Sequence, residues 1–303
     1  MPRWSGKTRG GIAGYKIFVF FIRYFGIGFA YFFLNFVVLY FLFFAPAAVR
    51  SSYYYFHERL KYTPLKAFVH IYRNFYRLGQ TLIDKVAFLS GFDSRFTFDF
   101  DGEHHLVKMA EETGGILVGA HTGNWEIAGQ LLKRIKTRIN IVMFRDEHEK
   151  IQQYLSDIYV EKNVHFIIIN VDYSHLFQIE EALKNKEIVA MHGDRYLPGT
   201  NTLEVNLLGK PAKFPTGPFS LAYRYKVPLT FVSAMKQTAR HYYFYASEPV
   251  IHNYPAKLSE RRKIISGLVE DYVRHLEKMV LRFPDQWFNF YDFWETEKQL
   301  NQD

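Results

Sequence analysis

The chain has 303 residues, enough for one large domain or two small ones, and 49% of them are hydrophobic. It carries a formal net charge of +8 and no cysteine, which excludes disulfides, thiolate metal sites and a cysteine nucleophile. A basic surface attracts nucleic acid, anionic lipid or an acidic carrier protein. The positive charge is spread along the chain without a nucleic-acid motif, so the expected partners are lipid and carrier protein rather than nucleic acid.

Residues 1–16 are polar and basic, with Arg3, Lys7, Arg9 and Lys16. From Tyr24 to Val49 run 26 residues without a formal charge. As a helix at about 1.5 Å per residue, this stretch reaches roughly 39 Å, against about 30 Å for a bilayer core. A membrane-associated segment is therefore expected. A signal peptide and a buried core helix are the alternatives. Basic residues flank both ends (Lys16 and Arg23 before, Arg50, Arg59, Lys61 and Lys66 after), so charge does not choose an orientation. The expected organisation is a lead-in and membrane-associated helix over residues 1–50, then a single domain over 51–303. That domain is expected to be helical over 51–112 and α/β over 113–303.

Within 51–112, Phe68, Ile71, Phe75, Leu78, Leu82 and Val86 recur at helical spacing. Further on, strands are expected at 116–120, 139–144, 164–169, 188–192 and 229–235. Helices are expected at 125–135, 147–160, 174–185, 217–226 and 257–282, with a hairpin or extended arm over 203–214. The alternation predicts an α/β fold, a mixed central sheet covered by helices.

The densest chemistry lies between Gly115 and Ala128. The apolar run Ile116–Ala120 ends in His121, and Thr122-Gly123-Asn124 makes a turn with helix-start chemistry. His121 therefore sits at the C-terminal edge of a strand, where open α/β sheets place their sites. Glu126 follows five residues later. A carboxylate there is able to hold one imidazole nitrogen and leave the other to take a proton from a hydroxyl. A lone histidine near an acid is more often structural, so the case rests on the whole string.

Gly-Ala-His-Thr-Gly-Asn-Trp-Glu resembles the His-x4-Asp/Glu block of the lysophospholipid acyltransferase superfamily, most closely the branch of bacterial lipid A late acyltransferases. Further segments follow in the order of that family. Arg145 follows the strand over 139–144. Met191-His192-Gly193-Asp194-Arg195 stands where the branch usually has Asp-Gln. Gly209-Lys210-Pro211 precedes a Pro-Thr-Gly turn, and Pro284-Asp285-Gln286-Trp287 resembles a terminal Pro-Glu-Gln-Trp/Tyr segment. The resemblance implies a glycerol-phosphate-acyltransferase-like fold with an N-terminal membrane-associated helix. It implies His121 as general base and Glu126 as the acid that orients it. The expected substrate-binding set is Asn124, Arg145, Asp194 and Arg195, and the terminal segment is expected to pack over the site without direct chemistry. Backbone amides near Gly123 and the guanidinium of Arg195 are alternative oxyanion stabilisers.

The implied reaction moves a fatty acyl group from acyl-carrier protein or acyl-CoA to a hydroxyl of a lipid A precursor, without cofactor or metal. The implied location is the cytoplasmic face of the bacterial inner membrane. Arg195 in place of glutamine keeps a second acceptor open, such as an aminolipid or polyene-type lipid. A non-catalytic lipid-binding protein is the alternative from another class. Phosphate-loop, dinucleotide, His-Glu-x-x-His and Gly-x-Ser-x-Gly signatures are all missing from the sequence.

Overall fold

The computed structural model describes residues 12–89, 95–124, 127, 135, 137–144, 164–170, 172–197, 199–251 and 258–294. The chain opens with the long apolar helix α1 (Ile12–Phe44), interrupted at Gly26, where φ is 82°. A left-handed backbone of this kind suits glycine and breaks the helix locally. A short helix, α2 (Pro46–Tyr53), and a π-helical turn (Tyr54–Arg59) lead to α3 (Pro64–Leu89).

One face of α1 joins the core through Ile27, Ala30, Leu34 and Val38. It packs on α3, where Gly79 admits Leu34; a Cβ there would lie 2.3 Å from the leucine Cδ1. The other face exposes Phe25, Phe32, Phe36, Tyr40 and Phe43. The segment Phe20–Phe44 is long and apolar enough to cross a membrane, and only 28% of its most apolar stretch is buried inside the protein. A core helix of a soluble protein would be mostly buried.

The remainder alternates. In chain order come β1 (Thr97–Asp101), α4 (Glu103–Glu112), β2 (Gly115–Gly119), β3 (Ile139–Phe144), β4 (Val164–Ile169), α5 (Ser174–Lys184) and β5 (Ile188–His192). Then follow the hairpin β6 (Thr202–Leu207) and β7 (Lys210–Pro215), α6 (Gly217–Tyr225), β8 (Leu229–Lys236), β9 (His241–Ala246), α7 (Leu258–Arg282) and a 3₁₀ turn (Pro284–Gln286). Seven strands form one sheet in the order β1-β9-β8-β2-β5-β3-β4. Its pairs are parallel except β8–β9, so β9 and β1 run against the other five. Central strand β2 is buried along nearly its whole length, as expected of a strand covered on both faces.

The mixed sheet and the expected strands at 139–144, 164–169 and 188–192 are present with those bounds. Two differences stand out. The stretch expected to be helical over 51–112 contains β1, whose Phe98 and Phe100 alternate with exposed Thr97, Asp99 and Asp101 and pack on Phe244. Strand β9 was not expected either. The expected helices at 125–135 and 147–160 lie outside the described residues, apart from Ile127 and Ile135, both buried.

Candidate active site

The register of two parallel strands builds the site. Gly119 of β2 is paired with His192 of β5. Side chains alternate with period two along a strand. The residues two positions beyond this pair, His121 and Asp194, therefore meet at the C-terminal edge of the sheet. Gly193 Nα–H donates to Gly119 O at 3.0 Å and closes the gap between the strand ends. A Cβ on Gly193 would lie 2.8 Å from Val118 Cγ1 and 2.9 Å from Tyr272 Cζ, so only glycine passes here without displacing the core.

Asp194 is 1% exposed and accepts three N–H donors. His121 Nδ1 approaches Oδ1 at 2.7 Å, the His121 backbone N–H donates to Oδ2 at 3.0 Å, and Trp287 Nε1–H donates to Oδ2 at 3.3 Å. Burial by itself raises the carboxyl, but His121, Arg195 and His192 together outweigh it and hold Asp194 well below the usual carboxylate range. An ionised carboxylate at 2.7 Å requires the proton on Nδ1, so in the neutral imidazole Nε2 carries the lone pair. That is the tautomer a general base needs.

His192 lies tilted against His121, with ring centroids 4.3 Å apart. Burial, then the neighbouring His121, push its imidazole down to about 3, so it is neutral at physiological pH. The ligand atoms of His121, His192 and Asp194 lie within 4.8 Å of one another, the residue types of a metal site. Asp194 already accepts three donors, His121 Nδ1 among them, and His192 meets His121 ring against ring.

The loop after His121 turns sharply inward. Gly123 has φ of +59°, and a Cβ there would lie 2.0 Å from Ala234 O. Its N–H donates to Gln286 O at 2.8 Å, and the Asn124 N–H to Ala234 O at 2.7 Å. Of the amides expected to meet an oxyanion, these two are therefore committed inside the protein. The Asn124 side chain is buried and donates to Thr81 O at 3.2 Å and Tyr242 Oη at 3.3 Å. It ties the loop to α3 and β9 from inside the protein. Glu126 and Arg145 lie outside the described residues. Among the described residues, Asp194 holds Nδ1 of His121.

Arg195 donates through Nη2 to Phe288 O at 2.6 Å and lies over the Tyr291 ring at 5.8 Å. The terminal segment does more than pack. Phe288 N–H donates to His121 O at 2.9 Å, Thr122 and Trp287 form an antiparallel bridge, and the Trp287 indole reaches the acid that orients His121. Asn74 of α3 anchors the segment by donating to Asp285 O and Trp287 O. The resemblance implies that this segment packs over the site, and its bonds to the His121 loop and to Asp194 join residues far apart in the chain.

The family described as "Bacterial lipid A biosynthesis acyltransferase" matches residues 71–296, well over half of the chain, and the chain belongs to it. Among particular proteins it is similar to the phosphatidylinositol mannoside acyltransferases of Mycobacterium tuberculosis strains H37Rv and CDC 1551, at 27% identity over 121 residues in each case. These alignments cover 40% of this chain and 38% of each relative, so the chain spans well under half the length of the curated relatives it matches. Among solved structures, the 1-acyl-sn-glycerophosphate acyltransferase PlsC of Thermotoga maritima is 19% identical, covering 82% of this chain and 98% of that one at a TM-score of 0.40.

Proposed function

We propose that this chain is a membrane-bound acyltransferase that moves a fatty acyl group from an acyl-thioester to a hydroxyl of a glycolipid, with His121 as general base. The observation that carries this reading is the pair of contacts from Asp194 to both Nδ1 and the backbone N–H of His121, which set the tautomer and the position of the ring together. As the acceptor oxygen attacks the thioester carbonyl, Nε2 takes its proton. The tetrahedral intermediate then collapses, expelling the carrier thiolate, which the imidazolium protonates. Asp194 stabilises the imidazolium, as the acid does in hydrolase triads. The intermediate's oxyanion needs a positive partner, and Arg195 is the candidate side chain beside the pair.

Glu126 is proposed as a second acid of the same site. Asp194 occupies Nδ1, and the role of Glu126 beside it is tested by mutation. Comparing Asp194→Asn with Glu126→Gln assigns it, and Asp194→Asn is expected to lose more kcat. Arg145 is proposed to hold an anionic group of donor or acceptor, since a guanidinium pairs bidentately with phosphate.

Family membership favours a lipid A precursor as acceptor, and the mycobacterial relatives favour a phosphatidylinositol mannoside. Both offer hydroxyls on a sugar headgroup. The donor is acyl-carrier protein or acyl-CoA. Because such thioesters are made in the cytoplasm, we place the catalytic face on the cytoplasmic side of the bacterial inner membrane. The exposed aromatic face of α1, continued by exposed Leu65 and Phe68 on α3, supports seating on lipid. Purified protein is mixed with each thioester on vesicles carrying each glycolipid, and thiol release and acylated lipid are measured. His121→Ala should lose about 10²–10⁴-fold in kcat. A variant that stays folded and keeps wild-type kcat defeats the base assignment.

A further inference from the structure

Asp84 of α3 is 0% exposed and Lys236, at the end of β8, is 1% exposed. They form an ion pair inside the core, next to the candidate site but outside its chemistry. Asp84 accepts from Lys236 Nζ and from the hydroxyls of Tyr31 and Tyr242. Nζ also lies 3.2 Å from Tyr31 Oη and 3.3 Å from Tyr242 Oη. Burial pushes the Asp84 carboxyl up and the Lys236 amine down, each toward its neutral form, while their attraction opposes both shifts. Such a pair contributes little stability, because desolvation offsets the attraction, and apolar residues of similar volume often serve as well or better. Its distinctive contribution is geometric: directed bonds that fix several elements to one point.

Those bonds lead to the site by two routes. Tyr242 Oη accepts from the Asn124 side chain, three residues beyond His121. The Lys236 backbone N–H donates to Gln286 Oε1 at 2.8 Å, and Gln286 Nε2 donates back to Lys236 O at 2.7 Å. Gln286 O accepts the Gly123 N–H, and the next residue, Trp287, donates to Asp194. In the other direction the pair holds Tyr31 of α1, whose neighbour Phe32 faces outward and exposed.

We propose that Asp84 and Lys236, with the hydroxyls of Tyr31 and Tyr242, form a positioning unit that ties the apolar N-terminal helix to the loop carrying His121, so that the helix must be seated for the base to be aligned. This rests on the reading of His121 given above. It makes α1 part of the catalytic apparatus as well as an anchor, and it makes acyl transfer sensitive to a hydroxyl on the lipid-facing helix.

The test uses the full chain on phosphatidylglycerol vesicles carrying a lipid A precursor or a phosphatidylinositol mannoside, with fatty acyl-CoA and fatty acyl-carrier protein as donors. The Asp84→Leu/Lys236→Met pair, Tyr31→Phe and Tyr242→Phe are compared for kcat, KM, melting temperature and cosedimentation with vesicles. The Leu/Met variant should melt with the wild type and sediment with vesicles, with KM unchanged, yet lose about tenfold to a hundredfold in kcat, the range a displacement of about 1 Å produces. Tyr31→Phe should lower kcat in the wild-type background and add nothing in the Leu/Met background. A Leu/Met variant with wild-type kcat, or a Tyr31→Phe effect that is the same in both backgrounds, overturns the proposal. If the Leu/Met variant does not fold, the single-oxygen deletions decide: non-additive losses of kcat at constant KM support the unit, and additive or absent losses overturn it. His121→Ala separates the two readings. A fully active His121→Ala, or a wild type inactive with all donors and acceptors, overturns the base and the unit together. An inactive His121→Ala beside unaffected tyrosine variants overturns the unit alone.

Discussion

Two carboxylates are buried to the same degree in this molecule, and their surroundings push them in opposite directions. Asp194 accepts three N–H groups at the edge of the sheet and lies well below the ordinary carboxylate range. Asp84 accepts an ammonium and two phenols in the core, and burial still drives it up. Exposure of 1% against 0% does not separate them. Asp194 sits among N–H dipoles from two chain segments and within reach of Arg195, so its charge is solvated by the protein itself. Asp84 has one cation, which must itself be desolvated, and the pair gains little over its cost. A buried acid is thus poised for chemistry by the polar groups arranged around it, and burial alone does not predict which acid that will be.

The largest expected effect breaks the first half of this contrast. Asp194→Asn keeps the shape but puts an NH₂ donor opposite Nδ1 while its oxygen keeps the two N–H groups now on Oδ2, which favours the tautomer with the proton on Nε2. The ring loses its fixed tautomer and its countercharge, and kcat should fall by about 10²–10⁴-fold, as when a triad acid becomes an amide. Steady-state kinetics with circular dichroism as a folding control checks this. Wild-type kcat in the folded variant would return the orienting role to Glu126.

The second prediction concerns pH and the neighbour of that acid. His192 is held down to about 3, against about 6.5 when unfolded. Between these values the unfolded chain binds a proton that the native protein excludes, so stability falls as pH falls from about 6.5 toward 3. Asp194, depressed when folded, adds stability that is present above its unfolded value and lost as pH falls through its folded one. Both weaken the protein on acidification, with His192 acting first. At about pH 4 the histidine alone accounts for on the order of 3 kcal/mol. In His192→Asn the melting temperature should fall less steeply between about pH 7 and pH 4 than in the wild type. Parallel curves would show that His192 titrates normally.

How much of this was legible in the sequence depends on how local each signal is. Ile139–Phe144, Val164–Ile169 and Ile188–His192 are short, mostly apolar runs, and each is a strand with those bounds. His121 was legible because an apolar strand, a Thr-Gly-Asn turn and an acid follow one another within a dozen residues. The alternation in Thr97–Asp101 was also present but short, at the end of a long helical stretch. The site's partnerships were less legible. Asp194 meets His121 because β2 and β5 pair with Gly119 opposite His192, and that register is a tertiary fact. Trp287 reaches Asp194 from the far end of the chain for the same reason. The resemblance implies Asn124 in the substrate-binding set, and the left-handed turn at Gly123 that sends its amide onto Thr81 O and Tyr242 Oη is not readable from that motif. The resemblance named the residues at the site; the sheet register decides which of them touch.

Arg195 offers the third prediction, smaller because its guanidinium is divided between structure and any ligand. One Nη is bonded to Phe288 O, and the group lies over Tyr291. Arg195→Gln should weaken the hold on the terminal segment and remove the positive charge beside Asp194. A loss of about tenfold in kcat/KM with a changed preference among glycolipid acceptors is expected, since a planar fork of donors is replaced by one amide. A lowered melting temperature with unchanged kinetics would confine the residue to the clamp.

The smallest expected effect tests whether the third donor to Asp194 matters. Trp287 Nε1–H is the longest of the three contacts, at 3.3 Å, whereas both His121 bonds are 3.0 Å or shorter. Trp287→Phe keeps an aromatic ring against Tyr55 and Phe293 but removes the indole N–H. Asp194 then keeps two donors, both from His121, and its carboxylate loses the one bond that holds it from outside the residue it serves. Its charge is less well solvated, so its carboxyl should move up from its depressed position. A hydrogen bond to a charged group is worth about 1.5–3 kcal/mol at good geometry, and this long one should be worth about 1 kcal/mol. The expected result is a small drop in melting temperature and a loss of about two- to fivefold in kcat, with KM unchanged because the indole lies behind the acid rather than in the substrate's path. Asp194→Asn and Trp287→Phe should be far from additive, since the indole acts only through the carboxylate. Full additivity in that double-mutant cycle would mean that Trp287 serves the site by packing alone.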